Sequence, residues 1–261
     1  MRIPYYQVNA FTSDSFGGNP AGVCPLQSWP DDTLLQNIAA ENDLSETAFF
    51  CEENNAFRLR WFTPTVEVDL CGHATLATAF VMFAELGRRE AELSFETRSG
   101  RLRTVWRDGK VEMDFPSWRP IACEAPENLE RALGAKPSEV LRSRDYVAVF
   151  ESESDVAALK PDMGLVSTLD AQGVIATAKG RKADFVSRYF APRAGVPEDP
   201  VTGSAHCILI PFWAERLGRR ELSAKQISRR GGELFCRDAG ERVFMSGEAV
   251  VYCRGELEVE G

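Results

Sequence analysis

Histidine and lysine are scarce in this 261-residue chain, 2 and 6 respectively, and its 7 cysteines, at 24, 51, 71, 123, 207, 236 and 253, include no C-x-x-C pair. An odd count without paired spacing argues against a disulfide framework and a structural zinc site; reduced thiols in a cytosol are expected. G-x-G-x-x-G and G-x-x-x-x-G-K-[ST] are both missing, so no dinucleotide or phosphate-cradling loop is indicated. Long apolar runs are missing too. The longest uncharged ones, Ala74 to Ala84 and Cys207 to Ala214, fall short of the roughly 20 residues that span a bilayer. The opening MRIPYYQVNAF alternates Tyr, Gln and Asn where a secretory signal needs a continuous apolar core, and it reads as a first strand. Positive charge is in deficit, with 30 Lys+Arg against 39 Asp+Glu for a net charge of -9, and adjacent arginines are scattered at 88–89, 219–220 and 229–230. That balance lacks the basic footprint of a nucleic-acid binder. A soluble, cytoplasmic protein with neither nucleic-acid nor membrane partners is expected.

With 44% hydrophobic and 26% charged residues, the chain can bury one large core or two modest ones. An internal repeat favours two. Leu86-Gly87-Arg88-Arg89-Glu90 recurs as Leu217-Gly218-Arg219-Arg220-Glu221, an offset of 131 residues. In that frame Gly72 falls on Gly203, Ala74 on Ala205, Gly100 on Gly231, and Pro30-Asp31 on Pro161-Asp162. Arg60-Trp61-Phe62-Thr63-Pro64 resembles Arg188-Tyr189-Phe190-Ala191-Pro192 three residues out of frame, so the second copy carries extra residues before Gly203. The expectation is two homologous domains, 1–120 and 121–261, related by a pseudo-two-fold axis, with Pro116, Pro120 and Pro126 marking the linker.

Period-2 segments at Phe57 to Thr63 and Phe185 to Ala191 read as strands, and residues 74–86 and 205–214 as helices apolar on nearly every face. Such helices must be buried on all sides. Strands at 93–96, 101–106, 111–115, 243–245 and 249–253 are expected to wrap them, giving an α+β class.

A buried helix that starts directly after a Gly-containing loop aims its unpaired N–H groups and positive dipole end at whatever lies beyond it. Cys71-Gly72-His73-Ala74 and Thr202-Gly203-Ser204-Ala205 are two such loops. A pair of capped helices, with Thr202 or Ser204 as N-caps, would explain either loop alone. The chemistry gathered there favours a site for a small carboxylate in a cleft between the domains. Both histidines, His73 and His206, lie at these helix starts, with Cys71, Asp69, Glu198, Asp199, Ser204 and Cys207 nearby. His206, a turn into an apolar helix, reads as a packing residue. His73 lies in a first turn, where the dipole is expected to lower its pKa and keep it neutral. Spacings match no closed zinc pattern, so no metal is expected. Cys71 and His73 diverge by about 200° at 100° per helical residue, which disfavours direct activation of the thiol.

Val8-Asn9-Ala10-Phe11, Gly18-Asn19-Pro20-Ala21-Gly22-Val23, Leu44-Ser45-Glu46-Thr47-Ala48, Arg60 to Pro64, Gly72-His73-Ala74-Thr75 and Asp199-Pro200-Val201-Thr202-Gly203-Ser204-Ala205 together resemble the PhzF-like family, named for the phenazine-biosynthesis isomerase. The resemblance spans the whole chain. It implies the diaminopimelate epimerase fold: two pseudo-two-fold related domains, each a barrel-like β-sheet around a central apolar helix, with the active site between them and a homodimeric assembly. It further implies an enzyme that shifts a proton within a dihydroaromatic acid without any cofactor. Glu46 takes the place of the acid/base, and His73, Asp199 and Ser204 those of the pocket residues. By itself Asp43-Leu44-Ser45-Glu46 also resembles a helix capping box, although the strand-like Thr47 to Cys51 weakens that reading.

Three functions stand as expectations. The leading one is a cofactor-independent isomerase moving a proton on a small carboxylate-bearing substrate, with Glu46, His73 and Asp199 as catalytic groups and Cys71, Gly72, Ala74, Gly203, Ser204 and Ala205 as substrate-binding ones. Glu46 in an apolar setting would gain the raised pKa that removing a carbon-bound proton requires. The second is an amino-acid epimerase acting through Cys71; related epimerases use two facing thiols, but the position matching Cys71 holds Thr202. The third is a binding protein that keeps the cleft and lacks the chemistry.

Overall fold

A computed structural model describes residues 1–54 and 56–259. The chain forms two compact units. It opens with β1 (Arg2–Ala10), β2 (Asn19–Leu26), α1 (Asp32–Asn42), β3 (Glu46–Glu53), β4 (Ala56–Phe62), β5 (Glu67–Val68) and α2 (Gly72–Phe80). The π turn Val81–Glu85 prolongs α2, and β6 (Glu92–Thr97), β7 (Gly100–Arg107) and β8 (Lys110–Pro116) follow. Next come β9 (Ile121–Ala122), α3 (Leu129–Leu133), β10 (Glu139–Arg142), β11 (Tyr146–Val149), α4 (Glu153–Ala158), α5 (Met163–Ser167), β12 (Val174–Lys179) and β13 (Phe185–Ala191). A 3-10 turn (Pro192–Ala194), β14 (Val196–Asp199), α6 (Gly203–Leu217), β15 (Glu221–Gln226), β16 (Gly232–Asp238), β17 (Arg242–Gly247) and β18 (Ala249–Glu258) complete it.

The first unit is Met1–Asp114 plus the chain from Ser246 onward, and the second is Phe115–Met245. Residues 249–253, read from sequence as wrapping the second helix, thus belong with the first. The physical reason is backbone pairing: β18 runs antiparallel to β1 from Arg2↔Glu258 to Ala10↔Ala249.

Within the first unit β1 pairs antiparallel with β2, β2 parallel with β3, β3 antiparallel with β4, and β4 parallel with β6. In the second unit β10 pairs antiparallel with β11, β11 parallel with β12, β12 antiparallel with β13, and β13 parallel with β15. One topology is therefore written twice. β9 pairs antiparallel with β10 as β18 does with β1.

The sequence repeat has structural content at every point. Gly87 and Gly218 both lie at φ +67, a left-handed conformation glycine adopts without steric cost. Asp31 and Asp162 are both helix N-caps, accepting from the backbone N–H of Leu34 and Leu165. Arg60 grips Glu67 with two hydrogen bonds of 2.8 and 2.7 Å, and Arg188 grips Glu198 at 2.7 and 2.9 Å. The frame shift between these pairs is the 3-10 turn Pro192–Ala194, which follows β13 where β4 runs directly into a loop.

Both long apolar helices start earlier than their hydrophobicity predicts, at Gly72 and Gly203. Every residue from His73 to Ala79 is buried. Helix α2 packs on β1, β2, β3 and β18, while α6 packs on β15 and β16. Burying most sides of a helix leaves no room for a polar stripe, which explains the absence of amphipathic periodicity. Among the described residues, no helix is long and apolar enough to cross a membrane.

Candidate active site at the start of the first buried helix

Local chain geometry brings a carboxylate, an imidazole and a thiol together in the first unit. Helix α1 ends on Asp43 in the left-handed region at φ 47, which turns the chain directly into β3. Glu46 is the first residue of that strand and pairs with Ala21 of β2, so the capping-box reading fails: Glu46 begins a strand. Cys71 is the N-cap of α2 and His73 its second residue.

Glu46 Oε2 lies 3.2 Å from His73 Nε2. The contact lacks hydrogen-bond alignment, and both atoms are buried without another hydrogen-bond partner. Glu46 keeps 18% of its side-chain exposure against 6% for His73, so it is the member of the pair that a substrate can reach. On the opposite edge of the ring, His73 Nδ1 lies 3.1 Å from Asn19 Nδ2 and 3.5 Å from Cys71 Sγ.

Two expectations are corrected at this point. Cys71 and His73 do not diverge: Cys71 has extended dihedrals of φ -142 and ψ 112, so it stands outside the helix and the 100° spacing does not apply to it. Nor is the His73 pKa lowered. Burial opposes its charged form, but its interactions with Cys71 and Glu46 together outweigh this and raise it well above the usual histidine range. Burial, reinforced by Glu46, in turn pushes the Cys71 thiol up to about 11.

Glu46, Cys71 and His73 each offer a donor atom within 4.8 Å of the other two. They fit a metal poorly, because the thiol approaches Nδ1 and the carboxylate approaches Nε2. The lone pairs of those two ring atoms point away from each other, and one ion cannot use both.

In the second unit Gly203, Ser204 and Ala205 open α6, and Asp199 ends β14. Thr202 is the N-cap residue, yet its side chain does not cap the helix. Its hydroxyl donates instead to Asp199 Oδ2 at 2.5 Å. Gln226, fully buried, holds this loop by donating to the Asp199 carbonyl at 2.7 Å and accepting from the Thr202 N–H at 2.9 Å. His206 is the packing residue expected: fully buried, its ring lies 2.7 Å from the Thr202 carbonyl. Thr75 does the same in the first copy, donating to the Cys71 carbonyl at 2.6 Å.

The copies differ in chemistry although they match in backbone. In the 131-residue frame Cys71 and His73 fall on Thr202 and Ser204. Phe62 faces Thr47 across β3 and β4, and Phe190 faces Val174 across β12 and β13, so the position of Glu46 falls on Gly173. A side chain at Gly173 is excluded, because even a Cβ would lie 2.7 Å from the Tyr189 ring and 2.8 Å from the Phe190 carbonyl. The ionisable set exists only in the first copy. Sequence reasoning assigned no role to two residues that organise these loops, Asn19 and Gln226. Asn19 lay in a quoted motif; Gln226 had no local signal, since its partners are 24 and 27 residues away.

Fold and site define a class first: a duplicated α+β protein in which one buried helix starts beside a carboxylate, an imidazole and a thiol. The crystal structure of a hydroxyproline epimerase from Agrobacterium vitis has the same fold, with a TM-score of 0.59 at 12% identity over 98% of this chain and 92% of that one. The family follows from closer matches. The model of the phenazine biosynthesis-like (PhzC-PhzF) family matches residues 8–255. A protein of Pseudomonas aeruginosa named as an uncharacterized isomerase is 52% identical over 260 residues, covering 99% of this chain and 100% of its own. The crystal structure of a PhzF-family protein from Enterococcus faecalis superposes with a TM-score of 0.97 at 45% identity, over 99% of this chain and 100% of that one. This chain belongs to the phenazine biosynthesis-like (PhzF) family.

Proposed function

We propose that the protein is a cofactor-independent isomerase that moves a proton between carbons of a small carboxylate-bearing substrate, as the family resemblance implies. The observation that carries this reading is the buried contact between Glu46 and His73 at the start of a helix whose own N-cap leaves it uncapped. Glu46 takes the carbon-bound proton while the C–H electron pair moves into the adjacent unsaturated system. The same proton returns to a second carbon, so no oxidant or reductant is needed. His73 holds or releases a proton beside Glu46 as charge develops, and the N–H groups of α2 favour negative charge on the substrate. Asp199 and Ser204 are assigned to the substrate by the family motif, together with the backbone of Gly72, Ala74, Gly203 and Ala205. A dihydroaromatic acid of the phenazine type is one candidate substrate. We take the protein to act in the cytoplasm as a homodimer, which light scattering checks.

Deuterium incorporation by NMR tests the chemistry. The protein in D2O is presented with a panel of amino acids and dihydroaromatic acids, and Glu46→Gln is run alongside. Exchange into substrate carbon that disappears in Glu46→Gln is expected; full exchange by that variant would refute the assignment. The second reading, epimerisation through Cys71, draws on the 3.5 Å approach of its thiol to His73. It requires Cys71→Ser to lose activity and wild type to give racemised product. Ligand binding with no exchange of any carbon-bound proton would instead favour the binding-protein reading.

A further inference from the structure

The Asn9 and Asn19 motifs take no direct part in this chemistry, yet they build the mount for His73. Asn19 is fully buried and opens β2 opposite Ala10 of β1. Its Nδ2 faces His73 Nδ1 at 3.1 Å, and its Oδ1 lies 3.5 Å from Ser45 Oγ. The backbone around it is clamped. Gly18, at φ +64, leaves a Cβ only 2.3 Å from the Ala10 carbonyl and 2.6 Å from Thr12 Cγ2. Phe11, also at φ 64, is fully buried, and a Cβ on Gly247 would lie 2.5 Å from its ring. Asn9 Nδ2 donates to the Ser15 carbonyl at 2.7 Å and closes the loop between them. A non-glycine residue held at positive φ is costly, and such strain persists only where the surroundings fix it.

An amide N–H can donate only to a ring nitrogen that carries no proton. The proton of the neutral imidazole must then sit on Nε2, the edge that faces Glu46. We infer that Asn19 is a positioning residue: by facing His73 Nδ1 with an amide N–H it selects, in the neutral ring, the tautomer whose one proton is on Nε2, the edge 3.2 Å from Glu46 Oε2. The titratable groups that interact with His73 are Glu46 of β3 and Cys71 ahead of α2. Each favours a second proton on the ring, and Asn19 opposes it at Nδ1. The tautomer stands independently of the reaction, whereas its catalytic consequence rests on the proposed function.

Nitrogen NMR of histidine-labelled protein reads this directly, because the chain has only 2 histidines. The neutral form of His73 should be the Nε2–H tautomer. His206, whose Nδ1 faces the Thr202 carbonyl, should be the Nδ1–H tautomer in the same spectrum. In Asn19→Asp, of the same shape, a carboxylate replaces the donor, so Nδ1 should gain a proton and the imidazolium titration should move up by about one pH unit or more. An unchanged His206 signal reports that the variant is folded. An Nδ1–H tautomer for His73 in wild type would overturn the inference without any variant. An unmoved titration in folded Asn19→Asp would overturn it as well. For the reaction, kcat of deuterium exchange should fall about tenfold or more, with KM changed far less and the acid limb of the profile moved by the same interval. A shifted tautomer with unaffected exchange would uphold the Asn19 lock and refute the role of His73 in the proposed reaction.

Discussion

Acidification is a sharp test of the two helix starts, because the histidines respond with opposite sign. His206 is completely buried, and burial lowers its pKa from 6.5 to about 4, only partly opposed by its bond to the Thr202 carbonyl. The unfolded chain accepts a proton near pH 6.5 that the folded protein refuses until pH 4. Stability from His206 is therefore present above pH 6.5 and lost as pH falls toward 4. A gap of roughly 2.5 pH units at 1.36 kcal/mol each, less the half-protonation at pH 4 itself, amounts to about 3 kcal/mol. His73 acts the other way: its raised pKa contributes stability below pH 6.5 that is lost as pH rises through the folded value. Comparing wild type with His206→Gln cancels His73 and the carboxylates, which both proteins share. Urea unfolding followed by tryptophan fluorescence suits the purpose, since Trp213 stacks on Phe185 and Phe185 lies against His206. The stability difference should shrink by about 3 kcal/mol between pH 7 and pH 4. A difference that does not depend on pH would refute the reasoning, as would an imidazole of His206 that titrates near 6.5.

Three further outcomes follow from backbone conformation and burial. Gly87→Ala, at φ +67 in open space, should cost about 1 kcal/mol in thermal or urea unfolding, the ordinary penalty of the left-handed region. Gly18→Ala adds a 2.3 Å clash with backbone to a similar φ, so it should cost at least about 2 kcal/mol more and disturb the His73 nitrogen signals. Among the cysteines, Cys253 is exposed while Cys24, Cys51, Cys71, Cys207 and Cys236 are buried. A thiol reagent added to native protein should label Cys253 first and leave those five unreactive until unfolding; fast labelling of Cys71 would contradict its burial.

Much of this molecule was legible along the chain because its markers are local. The glycines at 87 and 218, the caps at Asp31 and Asp162, and the apolar runs of α2 and α6 act over a few residues, so a repeat in sequence had to become a repeat in backbone. Cys71 and His73 stood out as ionisable residues at a helix start, whereas Glu46 entered through the family motif Leu44-Ser45-Glu46-Thr47-Ala48. Tertiary structure decided what depends on partners distant in sequence. The last strand joins the first unit because its hydrogen-bond partner is β1, some 250 residues earlier in pairs such as Arg2↔Glu258. Cys71 meets His73 because Cys71 is an extended N-cap residue outside the helix, where the helical spacing of 100° per residue does not apply. The direction of the His73 pKa was settled by the neighbours the fold supplies: burial lowers it, and Cys71 together with Glu46, on a strand 27 residues upstream, outweighs burial. Asn19 and Gln226 gained their roles in the same way: a buried side-chain amide reads as an ordinary turn or strand residue until the fold supplies the group it must satisfy.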